Sequence, residues 1–383
     1  MTTGTVSQRM RSGFQGFTTQ ISEGLLGAPI RLGVTGLARS GKTVFITSLI
    51  SNLMEGGRMP QLAAFGQNRI QTAFLQPQPD DTLARFDFEA HLDAISSHEP
   101  FWPVNTKNVS QLRLSMKLNP QGLMSGIRNS RIQHLDIVDY PGEWILDLTL
   151  LDKSYAQWSE EILARLNSRD IGQTYAKMIK GLPEKVALDE TEARKLAHCY
   201  CSYLSAARAT GYSGLTPGRF LLPGDLEGSP VLTFAPLPPE SNSKKGSLWH
   251  EMQRRYTAYK RHIVRPFFKN HFARIDRQIV LIDVLEALHR GPSAIQDLRH
   301  TMRDILIAFR PGRNSPLGRL IRGMRVERIL FAATKADHLH HNQHVQLTAI
   351  MEELTDDAAR QAQFRGAQTK ALSLASVRST TEE

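Results

Sequence analysis

The sequence is poor in cysteine: Cys199 and Cys201 are the only two in 383 residues. Two cysteines cannot build a disulfide framework, which points to a reducing compartment. Long apolar runs are also lacking. The longest stretches, such as 279–285, are short and carry an acid, so no membrane-spanning helix is expected. The first residues show no continuous apolar core followed by a small-residue cleavage site, so no signal peptide is expected. No internal repeat is visible. What is abundant is positive charge. Lys plus Arg number 47 against 37 Asp plus Glu, a formal net charge of +10. That balance favours an anionic partner (nucleotide, nucleic acid or lipid surface) without choosing among them. At 41% hydrophobic and 22% charged the composition is that of a globular chain, and the length suits two or three domains.

In segment 1–27, Met10, Phe14, Phe17 and Ile21 share one helical face, flanked by Arg9 and Arg11. Two readings fit: a helix docked on the body, or a foot on a membrane surface. Residues 29–35 read as a short buried strand. It runs into a helix bearing Val44, Phe45 and Leu49 that ends at Gly56-Gly57. Residues 58–108 hold no strong strand pattern, and Asp80-Asp81 after Pro79 read as a helix start. Residues 112–118 alternate with period two. They form an expected hairpin with 133–138, which leads into Asp139-Tyr140-Pro141-Gly142. Helical patterns follow at 145–167, 172–180 and 190–209, then a Gly/Pro-rich stretch and a flexible loop at 236–246. A basic helix covers 248–275, with Pro266 expected to kink or break it. Strands rich in Ile, Val, Leu and Phe return at 278–285 and 328–333, as a covered parallel sheet requires.

Three motifs carry chemistry. Gly36-Leu37-Ala38-Arg39-Ser40-Gly41-Lys42-Thr43 is GxxxxGKT between an expected strand and an expected helix. Its glycines let backbone N–H groups curl around an anion, and the helix N-terminus adds partial positive charge. Lys42 then reaches the β- and γ-phosphates, and the Thr43 hydroxyl ligates Mg²⁺. Asp139 and Gly142 form DxxG at the end of a strand, where an acid can hold Mg²⁺ and Gly142 can offer its N–H to a γ-phosphate. Thr334-Lys335-Ala336-Asp337 is TKxD, also at a strand end. The Asp337 carboxylate can accept from the guanine ring N–H and exocyclic amine, a donor pair adenine lacks. The stem of Lys335 lies against the base.

With these three motifs in order, the chain resembles the P-loop GTPases. Within them it resembles the bacterial YcjX-like family of stress-associated nucleotide-binding proteins, through residues 36–50 (GLARSGKTVFITSLI), 139–144 (DYPGEW) and the TKAD stretch. The resemblance implies GTP or GDP and Mg²⁺ as cofactors, GTP hydrolysis, a bacterial cytoplasm or the inner-membrane periphery, and an envelope-stress setting. It also implies a first-switch threonine that meets Mg²⁺ and γ-phosphate. Thr106 stands in the right place, with Thr72 and Thr82 as rivals. A final guanine-contacting loop is implied at Ser376 and Val377. A G domain closes with a helix past such a loop, and the sequence stops shortly after it, so a truncated terminus is expected.

The fold expected is α/β: a P-loop NTPase G domain with a doubly wound, mostly parallel sheet, made from 28–143 and 277–383. A mainly α-helical domain, 144–276, is inserted between them. Two positions depart from the common GTPase pattern. Glu143 follows Gly142 where many GTPases have Gln. It can orient water but cannot donate a hydrogen bond to phosphate; alternatively it is a helix-start acid. Arg39 occupies the fourth loop position and is a candidate for in-cis positive charge at the phosphates, or equally for a surface ion pair. Two further constellations are set aside. His340 and His344 share an expected helical face but lack a completing ligand. The basic helix comes without a nucleic-acid signature, so no specific nucleic acid is expected. The helical insertion is a candidate surface for a protein partner.

Overall fold

A computed structural model describes residues 28–37, 39–56, 59, 62–103, 108–119, 130–167, 169–182, 186–240, 244–309, 326–364 and 368–378. Segment 1–27, Ala38 and Thr106 lie outside the described residues. Eight strands form one mixed, mostly parallel sheet: β1 (Ile30–Gly36), β2 (Ile70–Gln76), β3 (Ala84–Arg85), β4 (Ser110–Leu118), β5 (Arg131–Asp139), β6 (Arg277–Ile282), β7 (Arg328–Ala333) and β8 (Gln368–Ser373). Their order is β2-β4-β5-β1-β6-β7-β8, with β3 beside β4. The described residues divide into two compact units, one drawn from 28–32, 45–103 and 110–138, the other from 33–44, 108–109 and 139–378.

In the first unit β2 pairs antiparallel with β4 and β3 parallel with it. Two expectations fail here. The stretch 58–108 does hold strands, β2 and β3. The helix expected at Asp80 instead starts at Phe88, as α2 (Phe88–Ser96) with α1 being Lys42–Glu55. The Asp87 carboxylate caps α2 by accepting from Ala90 N. Asp80 turns back on Thr82, accepting from its hydroxyl at 2.5 Å. A buried ion pair, Arg113 with both carboxylate oxygens of Asp136 at 2.6 and 2.8 Å, ties β4 to β5.

In the second unit β6, β7 and β8 pair parallel in register, Arg277 opposite Arg328 opposite Gln368. Between β5 and β6 the chain is mainly helical: α3 (Gly142–Leu146), α4 (Tyr155–Asn167), α5 (Gln173–Lys180), α6 (Glu190–Ala209), α7 (Leu248–Tyr259) and α8 (Arg265–Asn270). Its core is aromatic. Trp158 stacks on Tyr256 with centroids 5.1 Å apart, and Phe234 and Tyr200 pack edge-on against Trp158. The expected loop at 236–246 begins inside this core. Tyr155 and Tyr175 donate to the carbonyls of Ala235 and Pro236 at 2.7 and 2.8 Å, which fixes the first residue of a stretch that sequence alone assigns to a free loop. Pro266 takes the first turn of α8, and a widened π turn, Lys260–Val264, joins α7 to it. Not all of the basic residues here are solvated. Arg255 is buried against Glu190 and Glu251. After β6 come α9 (Val284–Arg290) and α10 (Pro292–Phe309), and α11 (His344–Phe364) precedes β8.

Asp147, just past α3, is fully buried. It accepts from Tyr259 OH at 2.5 Å, Gly218 N at 2.7 Å and Arg219 N at 3.4 Å. Burial outweighs these bonds and pushes its carboxyl up to about 6. The folded chain therefore keeps a proton that the unfolded chain releases near the ordinary carboxyl value of 3.8. The contribution of Asp147 to stability falls as pH rises through that window, by about 3 kcal/mol in all, and is flat above it. Asp147→Asn removes the slope. Urea unfolding of both proteins at pH 4 and pH 6.5 should show the wild-type advantage shrinking by about 2 kcal/mol; a constant difference would refute the assignment.

Candidate functional site

β1 ends at Gly36, where Leu37 N donates to Leu281 O at 3.2 Å and Ser40 N turns back to Leu37 O at 3.1 Å. Gly41 stands at φ +73°, a left-handed conformation that favours glycine. Arg39 adopts φ 64° as a non-glycine residue. α1 then begins at Lys42, so the loop's amides precede a helix N-terminus. The Ser40 hydroxyl is buried, and among the described residues no hydrogen bond reaches it. The Lys42 ammonium meets the Asp139 carboxylate, which is only 1% exposed, at the carboxyl end of β5. A β-carbon on Gly142 would run into the Gly36 carbonyl, and one on Gly36 into the Ser40 hydroxyl. The first glycine of the loop and the glycine of DxxG thus pack directly on one another.

Glu143 is buried in α3. Arg208, in the last turn of α6, brings Nη2 to 2.9 Å from Glu143 Oε1, yet off the line of a hydrogen bond, and among the described residues none reaches that oxygen. A cavity of about 50 Å³ adjoins the loop, lined by Leu37, Arg39, Arg208, Tyr212, Asp283 and Glu286 among others.

At the end of β7, Thr334 N donates to Ile282 O at 2.9 Å. Lys335 turns left-handed at φ 61° and reaches Asp283 Oδ2 at 2.5 Å. Ala336 N donates to Leu374 O at 3.2 Å, joining the TKxD loop to the loop of Ser376 and Val377. Asp337 is half-buried there. The described members of the predicted set fall into two groups. Gly36, Arg39, Ser40, Gly41, Lys42, Thr43, Asp139, Gly142 and Glu143 cluster around the β1–α1 loop. Thr334, Lys335, Asp337, Ser376 and Val377 cluster at the ends of β7 and β8.

A Mg²⁺ ion fits the first cluster on the chemistry of its donors. Among the described residues no group of three His, Cys, Asp or Glu holds a metal alone. A hard cation that takes one or two protein oxygens and completes its shell with phosphate matches Thr43 and Asp139. Of the rivals to Thr106, Thr72 lies in β2 and Thr82 bonds Asp80.

The sequence model of the YcjX-like family, DUF463, matches residues 30–383. The chain belongs to the YcjX-like family. It is 36% identical over 367 residues to the Ras-like GTPase YcjX of Escherichia coli K12, covering 92% of this chain and 78% of that one. It is 34% identical over 375 residues to the Ras-like GTPase YcjX of Shewanella oneidensis MR-1, covering 92% and 77%. Among the described residues no helix is long and apolar enough to cross a membrane.

The family's motifs leave some of the site unread. Asp283 grips Lys335, and its only sequence signal is an acid closing a hydrophobic strand. Arg208 carries no signal at all, because a cation in the last turn of a helix is ordinary. The histidine run is corrected. His340 precedes a single 3₁₀ turn, His341–Gln343, and α11 starts at His344, so the two histidines share no helical face. The His344 Nε2 instead meets Ala336 O at 2.8 Å, bracing the TKxD loop.

Proposed function

We propose that this chain binds guanine nucleotide and hydrolyses GTP to GDP and phosphate in a Mg²⁺-dependent reaction. It acts as a nucleotide-controlled switch in a bacterial stress response. The observation that carries this reading is the meeting of the Lys42 ammonium and the buried Asp139 carboxylate where β1 gives way to α1. A phosphate seated in the loop competes with Asp139 for that ammonium and leaves the carboxylate facing a cation. The loop amides and the first turn of α1 hold phosphate oxygens. Thr43 and Asp139 would hold Mg²⁺, with Thr106 as its further ligand; when bound, the ion neutralises charge on the β- and γ-phosphates. Lys42 stabilises charge developing in transfer, and Glu143 orients the attacking water. Arg39 adds positive charge beside the loop. Asp337 accepts from guanine, Lys335 covers the base, and the backbone at Ser376 and Val377 contacts it. Nucleotide state then moves the segments around Thr106 and Gly142 against the helical domain, 144–276, changing its contact with a protein or membrane partner. The names of both relatives support the GTPase part of this reading.

A second reading, a nucleotide-binding scaffold with negligible hydrolysis, is favoured by Glu143 alone, since a carboxylate has no N–H to offer phosphate. Phosphate release under multiple turnover separates the two. The expected result is repeated GTP turnover that stops when Mg²⁺ is chelated. Tight GTP binding with no more than one phosphate released per chain would leave only the scaffold.

A further inference from the structure

We infer that Arg208 is a positioning residue for Glu143, so that a side chain from the helical domain sets the rate of hydrolysis. This inference rests on the hydrolytic reading above. Glu143 is buried, and Arg208 Nη2 stands 2.9 Å from its Oε1. Both partners are held from behind. The chain just past α6 is fixed by Asp297, which accepts from Ser213 N at 2.6 Å, Gly214 N at 3.2 Å and Arg169 Nη2 at 2.7 Å. The Arg169 guanidinium lies 3.9 Å over the Tyr212 ring. On the other side Gly218 packs flat against the Glu143 backbone, where a β-carbon would strike the Glu143 carbonyl, and Gly218 N is itself held by Asp147.

These anchors settle what Arg208 is not needed for. The chain just past α6 is already tied down by Asp297, and Gly218, packed on the Glu143 backbone, by Asp147. An ion pair added to two fixed elements contributes little stability, since desolvation offsets most of the attraction. What it does is restrict the Glu143 side chain, whose Oε1 receives no hydrogen bond among the described residues. A carboxylate that orients water works only in a narrow range of positions, and a displacement of about 1 Å costs on the order of 10²-fold in rate. Arg208 also lines the cavity that Leu37 and Arg39 border, beside the β1–α1 loop.

The test is a double-mutant cycle on GTP hydrolysis in single turnover, with GTP affinity and thermal stability measured on each protein. Arg208→Ala is expected to slow hydrolysis by on the order of 10²-fold while GTP affinity changes by less than roughly threefold. Glu143→Ala is expected to slow it comparably, and the double variant to fall no further, because Arg208 acts through Glu143. Arg208→Lys keeps the charge without the fork and should recover part of the rate. It also serves if the alanine variant does not fold. Losses that multiply in the double variant, or an Arg208→Ala enzyme as fast as wild type, would overturn the role of Arg208 alone. A wild type that binds GTP without hydrolysing it would overturn the hydrolytic reading itself.

Discussion

Lys42→Ala is expected to lower GTP hydrolysis by on the order of 10³-fold and to weaken GDP and GTP binding as well. The first effect follows from removing a fixed cation aimed at developing charge, the kind of group whose loss costs roughly 10²–10³-fold. The second follows from what remains. Asp139 is almost completely buried, and the Lys42 ammonium meets it. Without that ammonium, a phosphate entering the loop lies beside the Asp139 carboxylate with no lysine between them, so repulsion adds to the lost attraction. Substitution with methionine keeps the stem of the side chain and should behave like alanine, which separates charge from packing. Titration with a fluorescent GDP analogue and phosphate-release assays read both effects. A Lys42→Ala protein that binds as tightly as wild type would place the phosphates elsewhere.

Asp337→Ala is expected to cost on the order of 10²–10⁴-fold in GDP affinity, since two hydrogen bonds to a charged acceptor are lost at about 1.5–3 kcal/mol each. The loss is specific to the base. Inosine diphosphate lacks the exocyclic amine, so wild type should bind it about 10-fold or more weakly than GDP. The Asp337→Ala variant should bind the two alike. Asp337 sits on a loop fixed from three sides, by Thr334 on Ile282, Lys335 on Asp283 and Ala336 on Leu374. The alanine variant should therefore fold normally. Competition of GDP, IDP and ADP against a labelled nucleotide gives the ranking. Equal affinities for GDP and ADP in wild type, with Asp337→Ala neutral, would remove guanine recognition.

The parts legible in the sequence are those whose cause is local. The β1–loop–α1 unit shows itself because glycine placement and a helix start are set within a dozen residues. β6 and β7 show themselves because strands covered on both faces must be continuously apolar. β2 escaped for the opposite reason. Its apolar residues, Ile70, Ala73, Phe74 and Leu75, do not alternate, and its strand state comes from pairing with β4, far away in sequence. The acids at 80–81 carry the same cap signal as Asp87, and only the tertiary setting chose between them. In the site, Lys42 and Asp139 were legible as motif members, but their direct pairing was not. Arg208 and Asp283 meet partners that no spacing rule connects to them, which is why no motif pointed to either.

The account depends most on a guanine nucleotide being held by the loop between β1 and α1. Isothermal calorimetry of the full chain, freed of nucleotide and shown to be folded, tests this directly with GDP and Mg²⁺ in the cell at moderate salt. The account predicts saturable heat at one GDP per chain, abolished by Lys42→Ala and not reproduced by ADP. No heat with either GDP or GTP from folded protein would contradict it.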